Sequence, residues 1–351
     1  MADPARVLVV DDSILFRTKL RMSLSEDPAL TVVGSAMDPE DAMRKIEQLK
    51  PDVITLDVEM PKMNGIEFLK KLMPQKPIPV IVVTSLPMNA LDALEAGAVD
   101  FVNKPQAGEP GAVDEFLLNL RNKVKMAVQA KVRRPAAAAA VRKPSLMQRM
   151  PPVLKVSNET IIAIGASTGG TEAIIEVVKA LPESTPGIVI VQHMPPNFTN
   201  LYAQRLNRIC KMKVKEAQDM DRVVQGQIIV AAGGYHLVLK KDAKGYYIRS
   251  MQGERVSGHC PSVDVMFDSV ADVAGAKAIG VILTGMGADG ARGITKLRRT
   301  GAYTIGQDRE SCVVYGMPME AYKMGGITKQ LPLDQIGDEI LYKLSQSSKK
   351  S

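Results

Sequence analysis

Short runs of β-branched and other apolar residues alternate with stretches of helical spacing over residues 1–125, and this alternation constrains the fold most. Five such runs occur, and each precedes an amphipathic stretch. Strands joined through helices pair in parallel, because each crossover returns the chain to the same end of the sheet. The pattern predicts an α/β domain whose five-stranded parallel sheet is covered by helices on both faces. The five runs are RVLVVDD, TVVGSA, DVITLD, PVIVVTS and DFVNKP.

A low-complexity segment follows this region. It contains RRPAAAAAVRKP and MPPV, and an alanine run bracketed by prolines cannot form a packed core. We expect a first domain over residues 1–125, a basic Ala/Pro-rich linker over 126–156 and a second domain over 157–347. The net charge is +7, and nine basic residues but no acidic one stand between residues 122 and 156. This charge favours solubility, and docking to acidic partners is the alternative.

The βα alternation resumes after the linker. Apolar runs there are TIIAIGAS, GIVIVQHM, QIIVAA and AIGVILTGMG. They predict a second, mostly parallel, doubly wound α/β domain. Ligands of such sheets bind outside the carboxyl ends of the strands, so residues that follow strands are the candidates for function.

Composition excludes several classes of protein. Aromatic residues make up 4% of the chain and Trp is absent, which argues against a stacking surface for single-stranded nucleic acid. Three cysteines without CxxC spacing suggest neither a disulfide framework nor a zinc site. No apolar run approaches the roughly 20 residues that span a bilayer, and no secretory leader is apparent. We therefore expect a cytoplasmic protein without membrane insertion.

Charged and hydroxyl side chains follow four strands of the first domain. Asp11 and Asp12 end the first strand, Asp57 the third, Thr84 the fourth and Lys104 the fifth. Three converging carboxylates repel one another unless a cation neutralises them, so the group predicts a Mg²⁺ site beside a phosphoryl acceptor, for which Asp57 is best placed. The alternative for Asp11 and Asp12 is capping of the next helix. Capping does not account for Asp57 and Lys104.

The motifs VVDDS, LDVEMPKMNG, VTS and DFVNKP, over residues 6–129, resemble the receiver domain of two-component response regulators. The resemblance implies a flavodoxin-like fold and phosphorylation of Asp57 by a histidine kinase. It further implies that Asp11 and Asp12 help Asp57 to hold Mg²⁺, and that Lys104, Thr84 and Phe101 respond to the phosphoryl group. It also implies a cis peptide bond before Pro105.

The first strand of the second domain leads into GASTG, residues 165–169. This matches the G-x-S-x-G nucleophile elbow, whereas G-x-G-x-x-G and a phosphate loop ending in GK[ST] are absent. An amphipathic stretch follows, so Ser167 is expected near a helix N-terminus, where N–H groups favour a developing oxyanion. The alternative is that Ser167 is only an N-cap.

A serine nucleophile needs a base, and the second domain offers three histidines. His193 directly follows a strand and is therefore expected at the same rim as Ser167, whereas His236 lies within an apparent strand and His259 in a loop. Asp289, in a glycine-rich turn after another strand, is the candidate partner that fixes the imidazole tautomer. A turn-forming role for Asp289 is the alternative.

The motifs GASTGG, QHMPPNFT, AAGGYHLVL, GHCPSVDVMF and TGMGADGARG resemble the chemotaxis protein-glutamate methylesterases, from residue 160 to the last helix. The resemblance implies hydrolysis of glutamate γ-methyl esters on the cytoplasmic helices of chemoreceptors, with release of methanol, and deamidation of receptor glutamines. It implies Ser167 as nucleophile, His193 as base and Asp289 as its partner, with the Thr168 and Met286 regions as oxyanion donors. No cofactor is expected for ester hydrolysis.

The two resemblances together imply a kinase-controlled esterase. In this hypothesis the unphosphorylated receiver covers the Ser167 cleft, and phosphorylation of Asp57 shifts the population toward an open arrangement. The expected partners are chemoreceptors and the chemotaxis histidine kinase, and no nucleic acid is expected. The alternatives are a response regulator whose output domain binds DNA and one whose output domain binds receptors without catalysis.

Overall fold

The structure is a computed structural model that describes residues 3–60, 63–105, 111–132 and 159–347. The chain divides into two compact units, residues 1–141 and 142–351, which are described separately. Residues 133–156 of the predicted linker lie outside the described residues. None of the described helices combines the length and the apolar character that crossing a bilayer requires.

The first unit contains five parallel strands, as predicted, and their order is β2-β1-β3-β4-β5. Every residue of β3 and β4 is buried, as expected for central strands covered by helices on both faces. The elements in chain order are β1 Ala5–Val10, α1 Ile14–Ser25, β2 Leu30–Ala36, α2 Pro39–Leu49, β3 Val53–Asp57, α3 Gly65–Gln75, β4 Val80–Thr84, α4 Pro87–Glu95, β5 Asp100–Asn103 and α5 Ala112–Ala127.

The second unit contains a seven-stranded sheet in the order β14-β13-β12-β6-β7-β9-β8, and all of its pairings are parallel. An antiparallel hairpin, β10-β11, stands apart from this sheet. The strands are β6 Ile161–Ala166, β7 Ile188–Gln192, β8 Lys213–Glu216, β9 Gln227–Val230, β10 His236–Asp242, β11 Gly245–Met251, β12 Ala278–Ile282, β13 Tyr303–Gln307 and β14 Lys329–Leu331. The helices are α6 Gly170–Val178, α7 Phe198–Ile209, α8 Val263–Val273, α9 Ala291–Arg299, α10 Met317–Lys323 and α11 Leu333–Ser347.

The four predicted strands of this unit are β6, β7, β9 and β12, and the mostly parallel α/β class is confirmed. The sequence patterns did not reveal β8, β11, β13 or β14, and they did not show that the apparent strand at His236, which is β10, forms a hairpin with β11. Two of these strands, KVKE and KQL, are short and mostly polar, so neither presents an apolar run. The hairpin packs with α8 against the sheet in one core, to which Val189, Leu239 and Phe267 belong.

In both sheets the strand order reverses beside the first strand of the unit. β1 lies between β2 and β3, and β6 lies between β12 and β7. A crevice opens where neighbouring crossovers leave in opposite directions, and this is the usual ligand site of such sheets. Asp11 and Asp57 in the first unit and Ser167, His193 and Asp289 in the second lie at or after strands next to the reversal point, whereas Thr84 and Lys104 lie at the ends of β4 and β5.

Candidate functional site

The acidic residues of the first unit converge at the carboxyl ends of β1 and β3. One carboxylate oxygen from each of Asp11, Asp12 and Asp57 lies within 4.8 Å of the others. Lys104 Nζ donates a hydrogen bond to Asp57 Oδ2 at 2.7 Å and lies 3.5 Å from Asp11 Oδ2. Ser13 caps α1 by accepting from the Phe16 N–H, so the capping alternative for Asp11 and Asp12 is wrong.

The electrostatics of this pocket leave negative charge incompletely compensated. Burial raises the pKa of Asp11 to about 6, a rise that Lys104 opposes and the charge of Asp57 reinforces. Burial would lower the pKa of Lys104, but its hydrogen bond to Asp57 and both carboxylates hold it above its ordinary value. Asp11 Oδ2 is buried and accepts no hydrogen bond from the described residues. Three carboxylates with such an oxygen fit a hard divalent cation.

A glutamate that the sequence analysis missed connects the hydroxyl groups at the end of β4. Thr84 Oγ1 donates to Glu59 Oε1 at 3.2 Å, and Ser85 Oγ donates to Glu59 Oε2 at 2.7 Å. The Glu59 N–H in turn donates to Asp57 Oδ1 at 3.0 Å. An acid two residues after the acceptor, within LDVEMPKMNG, was the available signal.

The two remaining predictions for the receiver concern Phe101 and the peptide bond before Pro105. Phe101 is buried on β5, and the Lys123 ammonium lies over its ring at 5.2 Å from the centroid. The prediction of a cis bond between Lys104 and Pro105 is wrong, since the cis peptide bond among the described residues is Cys260-Pro261.

Ser167 and His193 are neighbours at the carboxyl ends of β6 and β7. The parallel register pairs Ala166 with Gln192, the residues that directly precede them. The Ser167 N–H donates to the Thr284 carbonyl at 3.0 Å, which joins the elbow to the segment after β12. A Cβ atom on Gly285 would lie 2.8 Å from the Ser167 Cβ, so this close approach requires glycine. The N-cap of α6 is Gly169, and the N-cap alternative for Ser167 is therefore wrong.

His193 and Asp289 form the connection that the sequence predicted. His193 Nε2 donates to Asp289 Oδ2 at 2.8 Å, and the two side chains are 7% and 2% exposed. The same carboxylate accepts from Ser262 Oγ at 2.8 Å and from the N–H groups of Val263 at 2.8 Å and Asp264 at 3.0 Å. Ser262 is the N-cap of α8, so Asp289 lies at the positive end of that helix.

These contacts decide the ionisation of Asp289. Burial alone would raise its pKa, but the hydrogen bond from His193 and the donors at the start of α8 hold the pKa below the ordinary value. Asp289 follows β12 in a turn, yet its four hydrogen bonds exceed what turn formation requires. The turn-forming alternative alone is therefore insufficient.

The nitrogen of His193 that faces away from Asp289 is Nδ1. It is buried and forms no hydrogen bond with any described residue. Because Nε2 carries the proton that bonds Asp289, Nδ1 holds the lone pair that can accept a proton. The half-buried Ser167 hydroxyl does not hydrogen-bond His193 in the described part of the chain. In ligand-free enzymes such a contact is often long and tightens when substrate binds.

The predicted oxyanion residues flank the nucleophile. Thr168 follows Ser167, is buried, and accepts at its carbonyl from Thr284 Oγ1 at 3.1 Å. Met286 follows Gly285 and is 44% exposed. Both backbones therefore lie beside Ser167.

The remaining histidines differ in their roles. His236 is buried, donates from Nε2 to the Glu254 carbonyl at 2.8 Å and accepts at Nδ1 from the Ser262 N–H at 3.2 Å, which is a structural arrangement. His259 stacks on His193 with ring centroids 3.6 Å apart. The sequence did not predict this contact, because the position of a residue in a loop does not indicate which side chain its ring will contact.

Gln192 was also missed. Its amide Nε2 donates to the carbonyls of Ser167 at 3.0 Å and His193 at 3.2 Å, so one buried side chain joins the backbones of the predicted nucleophile and the predicted base. Its position directly before His193, in the QHMPPNFT motif, was the only signal in the sequence.

The chain matches two known protein families. Residues 162–340 match the CheB methylesterase family, and residues 7–110 match the response regulator receiver domain. A protein-glutamate methylesterase/protein-glutamine glutaminase of Syntrophomonas wolfei is 51% identical over 97% of both chains. A protein of the same name from Syntrophotalea carbinolica is 48% identical over 99% of both chains.

A solved structure covers the second unit. The CheB methylesterase catalytic domain of Thermotoga maritima aligns with a TM-score of 0.51 and 37% identity, over 52% of this chain and 98% of that domain. Together with the relatives that match nearly the whole length, it shows that this chain is a member of the CheB methylesterase family with an N-terminal response regulator receiver domain.

Proposed function

We propose that this chain hydrolyses glutamate γ-methyl esters of chemoreceptors and that Ser167, His193 and Asp289 perform the reaction. The relatives are named protein-glutamate methylesterases, which supports the activity. The observation that carries the assignment is the His193 Nε2 to Asp289 Oδ2 hydrogen bond at 2.8 Å, next to a serine at the adjacent strand end.

The arrangement supports acyl transfer in two stages. Ser167 Oγ attacks the ester carbonyl carbon while its proton passes to His193 Nδ1, and the imidazolium is stabilised by Asp289. Collapse of the tetrahedral intermediate breaks the bond to the methoxy group, which leaves as methanol with the proton from His193. Water then attacks the acyl-serine while His193 takes one of its protons. The Ser167–acyl bond breaks, His193 returns the proton to Ser167 Oγ, and the glutamic acid that is released ionises to the carboxylate. The N–H groups of the Thr168 and Met286 regions stabilise the oxyanion in this proposal.

The same steps account for deamidation of glutamine. Ammonia then replaces methanol as the leaving group, and His193 donates the proton that this group requires. The relatives' second printed name, protein-glutamine glutaminase, supports this activity.

The receiver domain makes the esterase responsive to a histidine kinase in this proposal. Asp57 accepts the phosphoryl group, and Lys104 donates a hydrogen bond to its Oδ2. Asp11, Asp12 and Asp57 would hold Mg²⁺. When bound, Mg²⁺ offsets the charge on the phosphoryl oxygens. Thr84 donates a hydrogen bond to Glu59 and must break this bond before it can donate to a phosphoryl oxygen. Phe101 is the further residue that responds to the phosphoryl group in this proposal. Because the proposed substrate is the cytoplasmic helices of chemoreceptors, the enzyme acts in the cytoplasm in this proposal.

One assay tests the proposal. Methanol release from a methylated receptor is measured for the wild type and Ser167→Ala, each with and without a small phosphodonor. We expect release by the wild type to rise with the donor, and release by Ser167→Ala to be lost in both conditions. Full activity of Ser167→Ala would refute the nucleophile, and a wild-type rate that ignores the donor would refute the regulation. Receptor binding without hydrolysis by the wild type would instead support the noncatalytic alternative.

A further inference from the structure

We propose that His259 is a positioning residue for the general base: its ring supports the face of His193 and keeps Nδ1 directed toward Ser167. The proposal rests on the assignment of His193 as the base. The two imidazoles lie parallel, with centroids 3.6 Å apart and an angle of 11° between their planes. The proposed catalytic roles of Ser167, His193 and Asp289 do not require this contact.

His193 needs support beyond Asp289. The hydrogen bond from Nε2 to Asp289 Oδ2 fixes one point of the ring, and Nδ1 bonds to no described residue. Because the ring is otherwise attached only through its Cβ–Cγ bond, it can still turn about the line from Cγ to Nε2, and this turning moves Nδ1 away from the Ser167 hydroxyl. A parallel ring in van der Waals contact blocks this motion without occupying the nitrogen that must accept the proton. Small errors in such positions lower the rate of proton transfer strongly.

The loop that carries His259 is itself fixed. Val256 and His259 exchange backbone hydrogen bonds of 3.0 Å across a tight turn, in which Ser257 and Gly258 have φ values of +53° and +81°. Three residues later Ser262 donates to Asp289, and its N–H is anchored on His236. One segment therefore holds His193 by its face through His259 and holds its carboxylate partner through Ser262.

The chemistry of the reaction favours an uncharged aromatic ring at this position. Transfer of the Ser167 proton makes His193 an imidazolium, which a neutral ring face accepts and a second cation at 3.6 Å would repel. Asp289 faces the other end of the same ring through its hydrogen bond. A phenylalanine at position 259 would keep the stacking face, whereas leucine would fill similar space without it.

The test compares three variants of the intact chain, His259→Ala, His259→Leu and His259→Phe, by steady-state kinetics on a methylated receptor. An aromatic pair contributes about 0.5–1.5 kcal/mol, so Ala and Leu should lower kcat by about two- to tenfold with little change in KM. His259→Phe should restore most of kcat. Gln252→Ala, an exposed change in the same loop, is the matched control and should leave kcat unchanged.

Proton NMR shows whether the stacking persists in each variant, while the change in kcat without a change in KM and its rescue by His259→Phe separate a positioning role from a merely structural one. The chain has three histidines, and the ring current of His259 shifts the ring protons of His193. His259→Leu should remove that shift and His259→Phe should retain one, with His193→Ala identifying the signals. Folded His259→Leu with wild-type kcat, or His259→Phe as impaired as His259→Leu, would overturn the proposal. Activity retained by His193→Ala would instead overturn the assignment of the base on which it rests.

Discussion

The two units place their functional residues in the same topological position but surround their key carboxylates differently. Each site lies at the carboxyl ends of parallel strands beside a reversal of strand order. In the receiver, Asp11 and Asp57 share the single ammonium of Lys104, and Asp11 keeps a buried oxygen without a hydrogen bond from the described residues. In the catalytic unit, Asp289 accepts four hydrogen bonds.

The pKa values express this difference. That of Asp11 is raised to about 6, chiefly by burial, whereas that of Asp289 is lowered because its hydrogen bonds outweigh burial. A carboxylate with too few partners is prepared for a cation or a phosphoryl group, which a ligand must supply. A carboxylate with a full set of donors cannot take a further ligand and instead fixes the ring that it bonds. Fold position therefore locates a site, and the local donors decide its chemistry.

The largest expected effect separates the two sites. Ser167→Ala should lower methanol release by up to about 10⁶-fold, because the nucleophile is lost, while phosphorylation of Asp57 by a phosphodonor continues. Both quantities are measured on the same preparation, esterase activity by methanol release and phosphorylation by a label that alkali and hydroxylamine remove. His193→Ala should come close to Ser167→Ala, and His236→Ala should cost far less because the His236 ring hydrogen-bonds the backbone of Glu254 and Ser262 and neither Ser167 nor His193. Loss of the phosphoryl label in Ser167→Ala would show that the change at Ser167 also affects the receiver site, and it would contradict the separation of the two sites.

The same residues show how much of the two sites could be predicted from the sequence alone. Asp57, Lys104, Ser167 and His193 were predictable because each lies at or directly after the carboxyl end of a strand, and parallel strands bring these ends together. Gln192, Glu59 and His259 were not, because their partners depend on register, rotamer and loop path rather than on periodicity. Strand β8 was missed for another reason, since its edge position requires no apolar run.

The second effect tests the donors of Asp289. Asp289→Asn should lower kcat by about 10⁴-fold, because an amide cannot both accept the His193 Nε2–H and stabilise the imidazolium. Ser262→Ala removes one of the four hydrogen bonds and leaves the charge, so its loss of kcat should be much smaller. Steady-state kinetics on methylated receptor give both values. Equal losses in the two variants would show that the donors, rather than the carboxylate charge, carry the effect.

The third effect lies in the receiver. Asp57→Asn removes the phosphoryl acceptor, so the rates of methanol release with and without phosphodonor should become equal. Label incorporation and methanol release are followed together, and Asp52→Asn, outside the acidic pocket, is the matched control that should keep both responses. Stimulation that survives in Asp57→Asn would mean that another residue accepts the phosphoryl group.

The smallest effect concerns stability and has opposite signs in the two units. Because the folded pKa of Asp289 lies below its ordinary value of 3.8, its ionised form stabilises the catalytic unit above that pH, and this contribution is lost as the pH falls through the lower folded pKa. The difference in Tm between the wild type and Asp289→Asn should therefore narrow on acidification below about 3.8. For Asp11 the folded pKa is raised, so its contribution declines as the pH rises from 3.8 to about 6. Calorimetry of the full chain at a series of pH values, with a chelator present, measures the Tm changes that report the contributions of Asp289 and Asp11. A Tm difference for Asp289→Asn that widens in acid would contradict the hydrogen-bonded carboxylate and remove the contrast between the two sites.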